Sequence, residues 1–183
     1  MKIDKKILKA AFDAVRVAVS EDSSRPGIYD AIRVEPDGER RIRLIGTDGY
    51  RLHMVTVELA EGSAHPTPFV VTRHTLDMAI RGAAKSAVAS LDPCLGTDAA
   101  AFPDARHVIP PKRDKGDGEA ECWATFDPSY VADAMTAAAK LQRAAGATLL
   151  ARVQLPPDES SPMRVDAEAY GNSFLAVIMG KRP

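Results

Sequence analysis

The sequence predicts an α+β fold in which antiparallel sheets carry two to three helices packed on one face. Three observations predict it. A strand-helix-strand-strand-strand pattern stands clearly at each end of the chain and once, abbreviated, between them. The strands are short and joined by tight turn signals such as Asp48-Gly49 and Pro36-Asp37-Gly38, which suit antiparallel hairpins. Each helix carries a single apolar stripe, so it has one face to bury.

Taken in order, Asp4 is placed to cap a helix whose stripe is Ile7, Leu8, Ala11, Phe12, Val15, Ala18 and Val19. Lys5, Lys6, Lys9, Asp13 and Arg16 fall off that stripe, leaving a mostly basic wet face. Ser23 to Gly27 breaks the helix. Strands are expected over 28–35, from Arg41 to Ile45 and from Leu52 to Leu59, with the Asp48-Gly49 turn between the last two. Residues 69–71 form a short strand, and Thr72 caps a second helix with Leu76, Ile80, Ala83 and Ala87 inward and Arg73, Arg81 and Lys85 outward. A further short strand fits 87–91, whereas Gly96-Thr97-Asp98 reads as a turn. Phe102 to Pro111 reads as an extended segment bounded by prolines. Residues 112–120 are polar and glycine-bearing, and read as a linker between a module at 1–111 and one at 121–183. Trp123 to Phe126 is a strand, Asp127-Pro128 starts the third helix and Gly146 ends it. Val131, Met135, Ala138 and Leu141 face inward on that helix. Strands over 148–155, 163–169 and 173–179 complete the pattern.

Composition bounds the function. The 24 basic and 25 acidic residues leave a formal charge of -1, so nucleic-acid binding by bulk charge is unsupported and only a locally basic face could provide it. Cys94 and Cys122 have no CxxC partner, which argues against a disulfide framework or a zinc site and for a reduced, cytoplasmic setting. No apolar run is long enough to span a bilayer, and the first residues show no export signal. His53, His65, His74 and His107 are scattered without acids or thiols at ligand spacing. Glycine-rich phosphate loops are absent, and no cofactor is indicated. Asp-Gly-x-Arg also occurs in the Lys-x-Asp-Gly-x-Arg motif of DNA ligases, but that chemistry needs a lysine amine where Gly46 stands. No catalytic residue is assigned.

Three stretches carry a resemblance. Thr47-Asp48-Gly49-Tyr50-Arg51-Leu52, Phe102 to Pro110 and Ala176 to Pro183 resemble segments of the bacterial DNA polymerase III beta subunit, the sliding clamp. The family patterns are Thr-Asp-Gly-His-Arg-Leu, Phe-Pro-Asp-Tyr-Arg-Arg-Val-Leu-Pro and a closing Val-Met-Pro-Met-Arg-Leu. Residues 1 to about 112 are similar to the clamp's middle domain and 121–183 to the last half of its final domain. The resemblance implies a DNA-clamp-like fold without catalysis, and a groove that holds short clamp-binding peptide motifs of polymerases, the clamp loader and repair proteins. Its implied lining is Ile28, Thr47, Gly49, Arg51, Leu52, Pro103, Val108, Val177, Ile178, Met179 and Arg182. Aliphatic side chains and Met would bury a Leu or Phe of the peptide, and Arg would donate at the rim.

The resemblance also implies that the helices face double-stranded DNA, through Lys5, Lys6, Lys9, Arg16, Arg73, Arg81, Lys85, Lys140 and Arg143. Departures are plain: Tyr50 replaces the family histidine, His107 an arginine, and Gly180, Lys181 and Pro183 the tail's proline, methionine and leucine. The first clamp domain and half of the last have no counterpart. The family ring is lined by about twelve helices, so three per chain imply a homo-oligomer of about four protomers for closure. A rival reading is a non-encircling adaptor, or a competitor of the clamp, that keeps only the groove.

Overall fold

A computed structural model of the chain describes residues 1–19, 30–64, 66–82, 86–91, 97–98, 102–111, 125–156, 158 and 161–180. In order these form β1 (Lys2–Asp4), α1 (Lys5–Arg16), β2 (Ala31–Pro36), β3 (Arg41–Thr47), β4 (Arg51–Glu58), β5 (Phe69–Thr72), α2 (Arg73–Gly82), β6 (Val88–Ser90), β7 (Thr97–Asp98), a 3-10 turn (Ala105–Val108), α3 (Pro128–Ala144), β8 (Ala151–Gln154), β9 (Met163–Ala169) and β10 (Asn172–Ile178). The fold is α+β, with every described ladder antiparallel.

Eight of the described strands make one sheet in the order β7-β5-β2-β3-β4-β10-β9-β8, and β1 pairs with β6 in a second, two-stranded sheet. The β4–β10 ladder joins the two ends of the chain: Leu52 lies opposite Val177 and Val55 opposite Phe174. Because side chains alternate across a strand, this register sorts the residues into two cores. Val55, Val57, Phe174, Ala176 and Ile178 face the helices and join Leu8, Phe12, Val15, Leu76, Ile80 and Leu141 in the main core. On the other face Ile45, Leu52, Leu175 and Val177 meet Phe102 in a smaller core, with Met54, Val70 and Ile109 against it.

The helices start where the side-chain chemistry allows. Asp4 accepts from the amides of Lys6 and Ile7 at 2.8 and 3.0 Å, Thr72 from Thr75 at 3.2 Å, and Asp127 from Ser129 at 2.9 Å. These caps satisfy donors that have no partner within the helix. Gly146 follows α3 at φ +72°, the left-handed conformation that ends helices cheaply. The buried Gln142 amide donates to Leu150 O at 2.5 Å and to Glu168 O at 3.3 Å, tying α3 to the β8–β9 side of the sheet.

Several boundaries differ from expectation. Lys2–Asp4 is the strand that opens the first unit, held by Ser90, Ala89 and Val88 opposite; apart from the Asp4 cap, no residue pattern marks it. Thr97–Asp98 is a short strand on β5 instead of a turn. The 102–111 segment is not extended throughout, since Ala105–Val108 closes a 3-10 turn between its prolines. The strand over 148–155 contracts to Ala151–Gln154 because the Ala147 and Leu150 amides bond to Gln142 O and Thr148 O instead of a neighbouring strand. Thr125 and Phe126 belong to no strand; Phe126 packs against the main core instead. The linker at 112–120, residues 121–124 and the two cysteines lie outside the described residues.

Candidate functional site

The turn between β3 and β4 is built by its own polar side chains. Asp48 Oδ1 accepts from the amides of Tyr50 and Arg51 at 2.9 and 3.0 Å, an Asx-type closure. Thr47 Oγ1 accepts from Gly49 N at 3.1 Å and donates to Arg51 O at 2.8 Å. Gly49 sits at φ +89°, so a side chain there would be strained. The end of β10 is stitched to this turn, because Met179 N donates to Tyr50 O at 3.0 Å.

Across the outer face of the sheet runs the 102–111 segment. Phe102 anchors one end in the smaller core. At the other, Arg164 Nη1 donates to Pro110 O at 2.6 Å and Gln154 Nε2 to Pro111 O at 3.0 Å. Arg164 is itself oriented by Asp166, with both contacts at 2.8 Å. Between this strap, the turn and the last strand lies a cavity of about 150 Å³, lined by Thr47, Gly49, Tyr50, Arg51, Leu52, Pro103, Asp104, Val108, Val177 and Met179. Segments some 130 residues apart thus converge on one small, mainly apolar pocket.

Of the groove residues expected from sequence, Thr47, Gly49, Arg51, Leu52, Pro103, Val108, Val177 and Met179 line this pocket. Ile178 does not. It is fully buried in the main core, because strand alternation turns it away from its neighbours Val177 and Met179. Ile28 and Arg182 lie outside the described residues. Tyr50 and Asp104 are lining residues that the pattern did not include, although Tyr50 stood out as a replacement; Tyr50 is 54% exposed. Arg51 lines the wall, yet its guanidinium is not a free rim donor. It is 13% exposed, bonds Asp48 Oδ2 at 3.1 Å and Asp133 Oδ2 at 2.6 Å, and lies 4.3 Å from the Tyr130 ring centroid.

Two other cavities are more polar. One of about 250 Å³ lies across the strap beside Arg33, Glu35, Arg43 and Arg164, and its charges are internally paired: Arg33 with Glu35 at 3.0 Å, Arg43 with Glu35 and Asp37, and Arg164 with Asp166. A wide, shallow one of about 820 Å³ follows β8 and the β9–β10 turn. Among the described residues no group of three His, Cys, Asp or Glu is arranged to hold a metal, and no helix is long and apolar enough to cross a membrane.

The basic residues assigned to the helices divide. Lys6, Lys9, Arg81, Lys140 and Arg143 are exposed, and Lys5, Arg16 and Arg73 are half-buried. Lys85 lies outside the described residues. Acids offset part of this charge: Asp13 pairs with Lys9 at 2.7 Å and Arg16 at 3.2 Å, and Asp77 with Arg81 at 2.7 Å. The helices α1 and α3 pack side by side, which brings Lys6 and Lys9 and the α3 pair Lys140 and Arg143 onto neighbouring helices.

No protein-family model and no curated protein matches this sequence. Solved structures do. The DNA polymerase III beta subunit of Thermotoga maritima superposes with a TM-score of 0.74 at 14% identity, over 100% of this chain and 65% of that one. The sliding clamp of Caulobacter crescentus gives 0.69 at 19% identity, again over 100% and 65%. A Pseudomonas aeruginosa sliding clamp bound to griselimycin gives 0.67 at 15%, with the same coverage. The chain therefore spans about 65% of the length of the solved structures it matches. The described architecture, from the capped helices to the β4–β10 ladder, is the fold of the bacterial DNA polymerase III beta sliding clamps.

Proposed function

We propose that this chain is a non-catalytic, sliding-clamp-like protein that tethers DNA polymerase or other replication and repair proteins to DNA through a peptide-binding groove. The observation that carries this reading is the pocket between Leu52, Pro103, Val108, Val177 and Met179, an apolar recess rimmed by backbone and polar groups on a clamp fold. Such a recess suits one aliphatic or aromatic anchor of an extended peptide. Residues Ile28 and Arg182 belong to the proposed groove as well. The partners proposed are clamp-binding peptide motifs, double-stranded DNA without sequence preference, and further copies of the chain; no cofactor or membrane is involved, and the setting is cytoplasmic. In the same reading the chain divides into modules at 1–111 and 121–183.

A direct test is calorimetric titration with griselimycin, which the Pseudomonas aeruginosa clamp binds, alongside a clamp-binding segment of a replicative polymerase. Saturable binding is expected, with Leu52→Ala and Met179→Ala each weakening it about tenfold or more, as loss of a buried anchor contact does. No binding to either probe, or full binding by both variants, removes the groove.

A non-encircling adaptor is the second reading, favoured by the pairing of Lys9, Arg16 and Arg81 with Asp13 and Asp77 on the helix faces. Duplex binding that falls steeply between low and physiological salt supports tethering to DNA. Absence of duplex binding at low salt, with peptide binding intact, leaves the adaptor.

A further inference from the structure

We propose that Asp133 and Tyr130, on α3, are positioning residues for the groove, holding the Arg51 guanidinium and through it the turn that forms the pocket wall. The proposal rests on the peptide-groove reading and adds to it an element that contributes no lining residue.

The geometry is a relay of charge-assisted contacts. Asp133 Oδ2 accepts from Arg51 Nη1 at 2.6 Å, across 82 residues of sequence. Arg51 Nε donates to Asp48 Oδ2 at 3.1 Å. The other oxygen of the same carboxylate, Oδ1, accepts from the amides of Tyr50 and Arg51. One planar carboxylate therefore serves the guanidinium and the turn at once. The Tyr130 ring, 4.3 Å from the guanidinium carbon, covers a face of the cation. From the turn the relay continues to the opposite wall, since Tyr50 O accepts from Met179 N.

The consequence follows from burial. Arg51 keeps only 13% of its side chain exposed, so it depends on its partners; a guanidinium that keeps Asp48 but loses Asp133 is under-paired and swings outward toward solvent. The Asp48 carboxylate turns with it and loosens its hold on the two amides. The pocket wall then softens although none of its lining side chains has changed.

The experiment compares wild type, Asp133→Asn, Asp133→Glu and Tyr130→Leu by two readouts, griselimycin affinity and amide hydrogen exchange at Tyr50 and Arg51. Asp133→Asn is expected to weaken binding about tenfold and to speed exchange at those amides by a similar factor, the scale of one lost charge-assisted bond. Exchange at Val34 and Leu44, which take no part in the relay, stays unchanged. Asp133→Glu restores most of both. In an Arg51→Ala background Asp133→Asn has no additional effect, as expected of a residue that acts only through Arg51. Affinity within twofold and unchanged exchange at Tyr50 and Arg51 overturn the proposal, as does uniformly faster exchange along the chain with no local excess. Should Asp133→Asn not fold, Tyr130→Leu carries the test: about threefold changes in both readouts support the relay, and no change in either overturns it. Failure of wild type to bind griselimycin or a polymerase segment counts against the groove itself, whereas the exchange comparison still reports whether α3 holds the turn.

Discussion

At the scale of a residue, His53 is the most constrained titratable group described. It is fully buried beneath α1, its Nδ1 donates to Ala14 O at 2.6 Å, and its ring meets Phe174 edge to face with centroids 5.2 Å apart. Among the described residues Nε2 is buried without a partner, so none of them accepts a hydrogen bond from a second proton on the ring. Burial, reinforced by the Arg51 charge, lowers its pKa from 6.5 to about 4, against the opposing Ala14 hydrogen bond and the Asp133 and Asp48 carboxylates. As pH falls below 6.5 the unfolded chain takes up a proton that the folded one refuses. Stability from this residue is therefore complete above about pH 6.5 and declines toward pH 4, by roughly 2 kcal/mol between pH 7 and pH 5. Urea unfolding at those two pH values is expected to show this loss in wild type and a smaller loss in His53→Phe. Equal pH slopes in the two proteins would assign the effect elsewhere. Strand alternation already hints that His53 shares an inward face with Val55 and Val57. The orphaned nitrogen was not legible, because it depends on which atoms of α1 and β10 arrive above the ring.

Among the elements, α1 shows what a pattern reveals and what it hides. Its stripe of Leu8, Ala11, Phe12 and Val15 is legible from spacing alone, and all four are buried. Ala10 and Ala14 are buried too, α1 packs on α3 as well as on the sheet, and alanine carries no polarity signal to announce a second contact. The sheet beneath is shaped to receive the helix at Gly46. A β-carbon there would lie 2.8 Å from Val15 Cγ1 and Val19 Cγ2 and 2.9 Å from Val15 O, and the last, being backbone, cannot rotate away. Gly46→Ala is expected to lower stability by about 1–3 kcal/mol through overpacking, read as a drop in urea midpoint. A neutral outcome would show that α1 lifts without loss. The strap over 102–111 was less legible, since two flanking prolines suit an extended chain and a 3-10 turn alike.

For the whole molecule, parts of the three motif stretches line one pocket, but the ladders that bring them together were not legible. Nothing local in Arg51–Glu58 specifies Asn172–Ile178 as a neighbour, and nothing in Lys2–Asp4 specifies Val88–Ser90. At one margin of the large sheet β8 pairs with β9 alone among the described strands, and Leu150 nearby is 71% exposed. If the chain encircles duplex, its three described helices require about four protomers, so light scattering over a wide concentration range is expected to give a tetramer. A monomer or dimer at every concentration would exclude autonomous encirclement and leave the groove. The β4–β10 ladder also sets an order of events during synthesis. Its partners stand roughly 120 residues apart, so β4 emerges from the ribosome long before β10 and waits with an open edge and with Leu52 and Met54 uncovered. A nascent chain stopped before residue 172 has no pocket to offer and an adhesive strand to hide. If the proposed groove takes peptides, it can do so only after β10 has emerged and docked.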